Sequence, residues 1–535
     1  MTLNPSPKLL KGRLRSPLFR SKPIDPGSKE GNRRLSLLLT VCLALAASLV
    51  AGYDAWIGLN PNDSDNLETT LIMVSARQFT LGPGALYGPY SGTNPGVLIQ
   101  APLYYRMTAL LAWPSVALGI DPVSACLVVG RLISVAAFLA CLGVAAKLAT
   151  IDGAPPRAGL WSALIVLGSP LVGSLPVTVR PDVLGVCLQT LGLLLVARVV
   201  LDPAAASGRR LILAYVLFAL AFCLKQHFVT ATVFCSVMLV WNVVQGRIRP
   251  TPVVCVHALA LALVCGYYGL EQVISSRLMF HSAFEVPQGL SRVSPGSWDY
   301  VGIVFGHILK RGLGLAALAA AALLATSRRS RGGRLDALLL GFVALDLALV
   351  VKLCLNSSGA WVNYALGSAV CIAVLAARAL DRVVKAEQLV SRRVPIALAG
   401  VFVVLVAGRA VGIGVQNRLA FQSDLQALRM HRIVAARSPD SIYFAGGLQP
   451  YNRRFGRPDL AHDEWLYGAF ERLDNIEPRA LWLREALAND PIRLVIVPND
   501  GPLPPGFIAG LDAPLADLGY ERAARVGPND LWERR

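Results

Sequence analysis

Charge is scarce in this chain. Only 16% of its 535 residues are Asp, Glu, Lys or Arg, against about 25% in soluble domains, so it is not built for water alone. Histidine is scarcer still, and no Cys-x-x-Cys pair or His/Cys cluster occurs, so neither a zinc site nor a disulfide framework is indicated. The ten cysteines, Cys42, Cys126, Cys141, Cys187, Cys223, Cys235, Cys255, Cys265, Cys354 and Cys371, all fall in apolar segments and read as small lipid-compatible core residues. No glycine-rich phosphate loop stands out, which argues against a nucleotide-fed reaction. No internal symmetry of two halves is visible, a point against a transporter built from repeats.

What is abundant is hydrophobicity, 54% of the residues, with a mean hydropathy of +0.53. Apolar runs of roughly 18 to 25 residues, the length that crosses a bilayer core, recur along most of the chain. They lie near 35–53, 99–119, 122–149, 158–178, 182–201, 211–224, 228–244, 252–273, 302–326, 334–355, 361–380 and 394–415. The first run follows Arg33-Arg34 but continues to Tyr53, so it predicts an uncleaved anchor and not a secretory signal.

The net charge of +18 is concentrated in the tail before the first run and in short loops near 203–210, 246–250, 327–334 and 381–393. That is the positive-inside pattern, and it leaves no role for nucleic acid. The basic loops are predicted cytoplasmic, and those near 179–181, 225–227, 274–301 and 356–360 extracytoplasmic. A cytoplasmic N-terminus and an external C-terminus require an odd number of crossings. The weakest run is 99–119, which contains Pro102, Arg106 and Pro114; it is expected to lie along the interface or re-enter, tolerated where it packs on protein.

The predicted fold is therefore an α-helical polytopic membrane protein with about eleven crossing helices and a small C-terminal extracytoplasmic α/β domain. Its expected divisions are a basic cytoplasmic tail over 1–34, a membrane domain over 35–415 with a first external loop at 58–98, and the α/β domain over 416–535. In that last part Ser441 to Ala445 and Ile492 to Val497 read as buried strands around a helical stretch near Pro478 to Ala488. His462-Asp463-Glu464 has no second ligand at metal spacing and reads as a loop. No metal site is assigned, and the sequence names neither a cofactor nor a divalent-metal requirement.

Polar residues collect on the predicted outer side. The first loop carries Asp63, Asp65 and Glu68, acids suited to accept a proton from an acceptor hydroxyl, ahead of a helical stretch from Thr69 to Phe79. Arg180-Pro181-Asp182 opens one apolar run, and Lys225-Gln226-His227 interrupts another. Ionisable groups at membrane depth are costly and suggest function by default. Arg180 and Lys225 facing one cavity would hold a phosphate, Arg by its fork and Lys as a point charge, although both could instead snorkel to the interface. Asn363 could bind a sugar hydroxyl or cap its helix, and Trp361 and Tyr364 suit an aromatic belt.

A series of short motifs then falls in a familiar order: the acidic loop, Gly84-Ala85-Leu86-Tyr87, Pro102-Leu103-Tyr104-Tyr105, Gly130-Arg131-Leu132-Ile133-Ser134, Arg180-Pro181-Asp182, Lys225-Gln226 and Asn363-Tyr364. In this order the chain resembles the GT-C superfamily of membrane glycosyltransferases, in particular bacterial relatives of protein O-mannosyltransferases and lipid A aminoarabinose transferases. The resemblance covers about Asp63 to Arg382. It implies inverting transfer from a polyprenyl-phosphate sugar to a glycan, lipid or protein acceptor outside the cytoplasm of an inner membrane, with a first-loop carboxylate as base. Residue by residue it puts Asp65 first, Asp63 second and Glu68 third for the base. It puts Arg180, Lys225 and Arg106 on the donor phosphate, and Tyr104, Tyr105, Asp182, Gln226, His227, Asn363 and Tyr364 around the substrates. Where the family often has a paired Asp-Glu, this chain has Asp63-Ser64-Asp65; where a Lys or His precedes a Pro-Pro-Leu run, it has Gln100-Ala101-Pro102. The competing readings are a transporter or flippase of lipid-linked glycans and a non-catalytic envelope-assembly protein.

Overall fold

Apolar runs this long leave their backbone one solution in lipid, the α-helix, which satisfies every amide internally. The computed structural model describes residues 29–59, 66–87, 101–169, 171–172, 175–203, 208–285, 296–326, 333–356, 362–385, 441–444, 492–498, 512–526 and 529–535, with isolated positions at 288, 291–292, 400 and 487–488. Its main helices are α1 (Lys29–Leu59), α2 (Asn66–Leu81), α3 (Leu103–Ala117), α4 (Pro122–Thr150), α5 (Pro156–Leu167), α6 (Pro181–Leu201), α7 (Gly208–Leu224), α8 (Thr230–Val244), α9 (Pro250–Ile274), α10 (Trp298–Thr326), α11 (Arg334–Asn356) and α12 (Leu366–Lys385).

Among the described residues, six helical stretches are long and apolar enough to cross a membrane: Arg33–Gly52, Pro122–Thr150, Pro181–Leu201, Pro250–Ile274, Arg334–Asn356 and Asn363–Arg382. The chain is a multi-pass helical membrane protein. Other runs take shorter forms. Where the sequence predicts a span over 158–178, α5 has only 12 residues, about 18 Å at 1.5 Å per residue, well short of a bilayer core. It ends at Gly168, whose missing side chain leaves room for the α1 backbone at Ala46 and Ala47. The run at 99–119 becomes α3, 15 residues long, entered through Pro102 and containing Pro114. Leu110, Trp113 and Leu118 remain exposed along it, as lipid contact would require. The first-loop stretch expected from Thr69 to Phe79 is helical as α2. The predicted span at 394–415, Gly400 apart, lies outside the described residues, as do Asp63, Asp65 and His462 to Glu464.

Lipid tails are as apolar as leucine, so these helices gain little from hydrophobicity when they associate and depend on close packing. Glycine provides it at the centre. A Cβ on Gly185 of α6 would lie 1.9 Å from the Phe228 ring, and one on Gly192 would lie 2.3 Å from Phe218 of α7. Helices α6 and α12 are the most enclosed: Val183, Leu193, Val196 and Ala197 pack in one continuous core with Val370, Val374, Ala377 and Leu380.

The C-terminal part contains a four-stranded sheet ordered β1-β2-β4-β3, with β1 (Ile442–Phe444), β2 (Leu494–Pro498), β3 (Tyr520–Val526) and β4 (Asn529–Arg534). β1 and β2 are parallel, and the remaining pairs are antiparallel. Leu494, Val495, Ile496 and Val497 are all buried, as an interior strand covered on both faces should be. The β3–β4 hairpin carries Glu521, Arg522, Arg525 and Glu533, so its polar alternation conceals it from a search for apolar bursts.

Candidate active site

Proline fixes where α6 begins. Arg180 is its extended N-cap residue, Pro181 takes the first helical position, and Asp182 follows in the first turn, where a helix favours an acid. Asp182 is nonetheless buried, 1% exposed, so its charge needs partners. Its Oδ1 accepts from Lys225 Nζ at 2.9 Å and from Asn363 Nδ2 at 2.7 Å. Three separate stretches of chain thus meet on one carboxylate.

Lys225 follows the end of α7. Its amide donates to the Ala221 carbonyl, and the Phe228 amide donates back to the Lys225 carbonyl, which closes a tight turn into α8. The turn can lie against α6 because Gly185 leaves space for Phe228. Lys225 Nζ also stands 4.8 Å from the centroid of the Tyr364 ring, a cation–π contact. The His227 ring packs between Phe228, 4.0 Å away, and Tyr364, 4.3 Å away. Among the described residues both of its ring nitrogens are buried without a hydrogen-bond partner, an expensive arrangement unless something else supplies one. Gln226 turns away and donates to the Ala283 carbonyl at 2.9 Å. Arg180 completes the group, close enough to act electrostatically on Asp182 and on Lys225.

A second layer lies behind Arg180. Glu68, fully buried, accepts from Arg131 Nε at 3.1 Å and Nη2 at 3.2 Å, and from the Val179 amide at 2.7 Å. Gly130 lets this happen, since a side chain there would collide with Val179 at 2.5 Å. Tyr104 and Tyr105 are buried here too, their rings edge to face at 5.9 Å, and the Tyr104 hydroxyl donates to the Gly130 carbonyl at 3.2 Å. Glu68 therefore fixes the residue that precedes Arg180.

Arg106 lies elsewhere. Its guanidinium forks onto Glu271 at 2.7 and 3.0 Å, and donates to Gln78 Oε1 at 2.7 Å and the Pro83 carbonyl at 2.5 Å. It ties α3 to α2 and α9. The structure gathers Arg180, Asp182, Lys225, His227, Asn363 and Tyr364 in one place, and does not bring Arg106 there.

Sequence reasoning passed over three acids inside apolar runs, Glu271, Asp336 and Asp346, and one arginine, Arg378. Each is an ionisable residue in a predicted span, which was the available signal. Asp336 and Arg378 form a cluster at the far end of α12. Arg378 Nε donates to Asp336 at 2.7 Å, and its Nη1 and Nη2 donate to Asp152 at 2.5 and 2.6 Å. Arg382 joins Asp336, and Arg157 donates to Asp381 at 2.7 Å. Burial works against the Asp152 carboxyl, but the Arg378 hydrogen bond and charge outweigh it and hold the carboxyl below the usual range. No group of three or more His, Cys, Asp or Glu suited to a metal occurs among the described residues.

No family model matches the chain, and no curated protein matches its sequence. Solved structures do. ArnT from Cupriavidus metallidurans bound to undecaprenyl phosphate aligns at a TM-score of 0.52 and 14% identity, over 94% of this chain and 98% of that one. The same enzyme in the apo state aligns at 0.53 with the same identity and coverage. The archaeal oligosaccharyltransferase AglB from Archaeoglobus fulgidus, in complex with an inhibitory peptide and a dolichol-phosphate, aligns at 0.50 and 10% identity, over 88% of this chain and 70% of that one. At such identities the likeness is one of fold: the chain has the architecture of these GT-C membrane glycosyltransferases.

Proposed function

We propose that this chain is a membrane glycosyltransferase that moves a sugar from a polyprenyl-phosphate carrier to an acceptor hydroxyl on the extracytoplasmic side. The observation that carries this reading is the convergence of Arg180, Asp182, Lys225 and Asn363. Two cations, a carboxylate and an amide lie together at membrane depth, and Arg180 and Lys225 are the groups among them suited to an anion. An anionic lipid headgroup is the ligand such a site favours. The solved structures of the same fold hold undecaprenyl phosphate and dolichol-phosphate, which supports the same carrier class here.

The chemistry follows from those parts. The acceptor oxygen attacks C1 of the sugar from the face opposite the phosphate. The C1–O bond to phosphate breaks, and the phosphate leaves with the bonding pair, its charge balanced by Arg180 and Lys225. The acceptor proton passes to a first-loop carboxylate, Asp65 in our assignment with Asp63 second. Glu68 is engaged by Arg131 and the Val179 amide and serves to hold Arg180 in position. The unpartnered nitrogens of His227 would accept from, or donate to, a sugar hydroxyl. The C-terminal domain is assigned to acceptor binding or scaffolding.

Purified protein in nanodiscs, offered a panel of polyprenyl-phosphate sugars and acceptors, tests this. Transfer from one carrier, lost in Lys225→Ala and Arg180→Ala, is the expected result. Movement of a lipid-linked glycan between leaflets without any transfer would establish the transporter reading instead. Orientation is tested separately: tags at the N-terminus and in the 327–334 loop should report cytoplasm, and a tag after Arg535 the exterior.

A further inference from the structure

Asp346 lies well inside α11, about ten residues before its end at Asn356 and thus about 15 Å below it. A carboxylate at that depth is expensive, and this one is 5% exposed. Two other helices meet it. The Ser368 amide and hydroxyl donate to Oδ2 at 3.0 and 2.7 Å, and the Thr230 side chain lies close enough to act on the carboxylate. Gly367 permits the approach, since its absent Cβ would lie 3.4 Å from Oδ2.

Both residues occupy telling positions. Thr230 is the first residue of α8, directly after the turn that carries Lys225 and His227, and α8 has no side-chain cap of its own. Ser368 is in the first turn of α12, directly after the short 3-10 turn Val362–Ala365 that carries Asn363 and Tyr364. First-turn amides have no partner within their helix, and helix N-termini favour negative charge. Asp346 supplies a cap to α12 from outside and meets the starts of two helices at once.

We propose that Asp346 is a positioning residue that locks the Lys225–Val229 turn and the Asn363–Tyr364 turn against each other. It thereby sets the distance at which Lys225 and Asn363 share Asp182. The effect on catalysis rests on the glycosyltransferase reading; the locking itself does not.

Hydrogen exchange separates the two. Asp346→Leu should raise amide exchange in residues 226–230 and 363–368 together, by about tenfold or more for the loss of bonds to a charged acceptor, and leave 335–340 of the same helix unchanged. Asp346→Asn, which keeps one acceptor oxygen, should recover part of that protection. Thr230→Ala should loosen only the first turn and Ser368→Ala only the second. In transfer assays Asp346→Asn should raise the donor KM more than it lowers kcat. Exchange that rises uniformly along α11 and α12, or in neither turn of the Thr230 and Ser368 variants, overturns the proposal. Should the wild-type protein transfer no sugar while the paired exchange pattern holds, the functional reading fails and the positioning role stands.

Discussion

The two ends of α12 differ in kind. At its far end Arg157, Arg378 and Arg382 face Asp152, Asp336 and Asp381, with a guanidinium on every one of these carboxylates. At its beginning Lys225 and Asn363 share Asp182, and both buried ring nitrogens of His227 lack a hydrogen-bond partner among the described residues. The first cluster is bonded within itself and acts as a fastening. The second keeps buried polar atoms that an outside ligand could meet. Depth and burial alone would have ranked the two alike; the unsatisfied ring separates them.

The largest expected effect belongs to the first-loop base of the proposed reaction. Asp65→Asn keeps size and much of the hydrogen bonding but removes the proton acceptor, so initial transfer rates should fall by about 10² to 10⁴. Asp63→Asn should cost less, and full activity in the double Asn variant would remove the first-loop base. Next comes Lys225→Met, which leaves the Asp182 carboxylate buried beside Asn363 with one cation fewer. Removing one partner of a buried pair typically costs about 3 to 5 kcal/mol, and the thermal midpoint should drop accordingly. Adding Asp182→Asn should restore much of the stability but none of the donor use. Recovery of both would mean that this pair, too, is only a fastening.

At the far end of α12 the expectation reverses. Arg378→Ala strands Asp152 and part of Asp336, and should lower stability by about 3 kcal/mol while the donor KM stays near the wild-type value. A large KM effect would show that the two ends of α12 are not independent.

The parts legible in the sequence were those written in local pattern. Periodic apolar runs gave the membrane architecture, Pro181 marked the start of α6, and the costly ions Arg180, Asp182 and Lys225 were conspicuous against an apolar background. What was hidden depends on tertiary packing. Nothing local to Arg106 says that Glu271, 165 residues away, will occupy its fork. Nothing around Glu68 announces Arg131 and the Val179 amide, because that meeting requires Gly130 and Val179 to touch. The run at 158–178 carries a local stop, Gly168-Ser169-Pro170, which a count of apolar residues passes over, and the helix ends at Leu167. Asp346 and Arg378 were visible as anomalies, but their meaning lies in which helix starts and ends they join.

The smallest expected effect concerns acid. Asp152 is partly exposed in the connection between α4 and α5, and Arg378 holds its carboxyl below the ordinary value. A carboxyl with a lowered folded-state pKa binds protons less readily folded than unfolded. It therefore adds stability that is complete above the ordinary Asp pKa of about 4 and disappears as pH falls through the lowered value. Thermal unfolding of the solubilised protein should show a modest decline in midpoint below about pH 4, and Asp152→Asn should flatten part of it. The decline should be smaller than the loss in Arg378→Ala, because solvent screens an exposed partner and Asp336 still holds the guanidinium from the buried side. An Asp152→Asn variant with an unchanged acid slope would place the titrating group elsewhere. Arg378 would then be held chiefly by Asp336 and the Ala149 carbonyl.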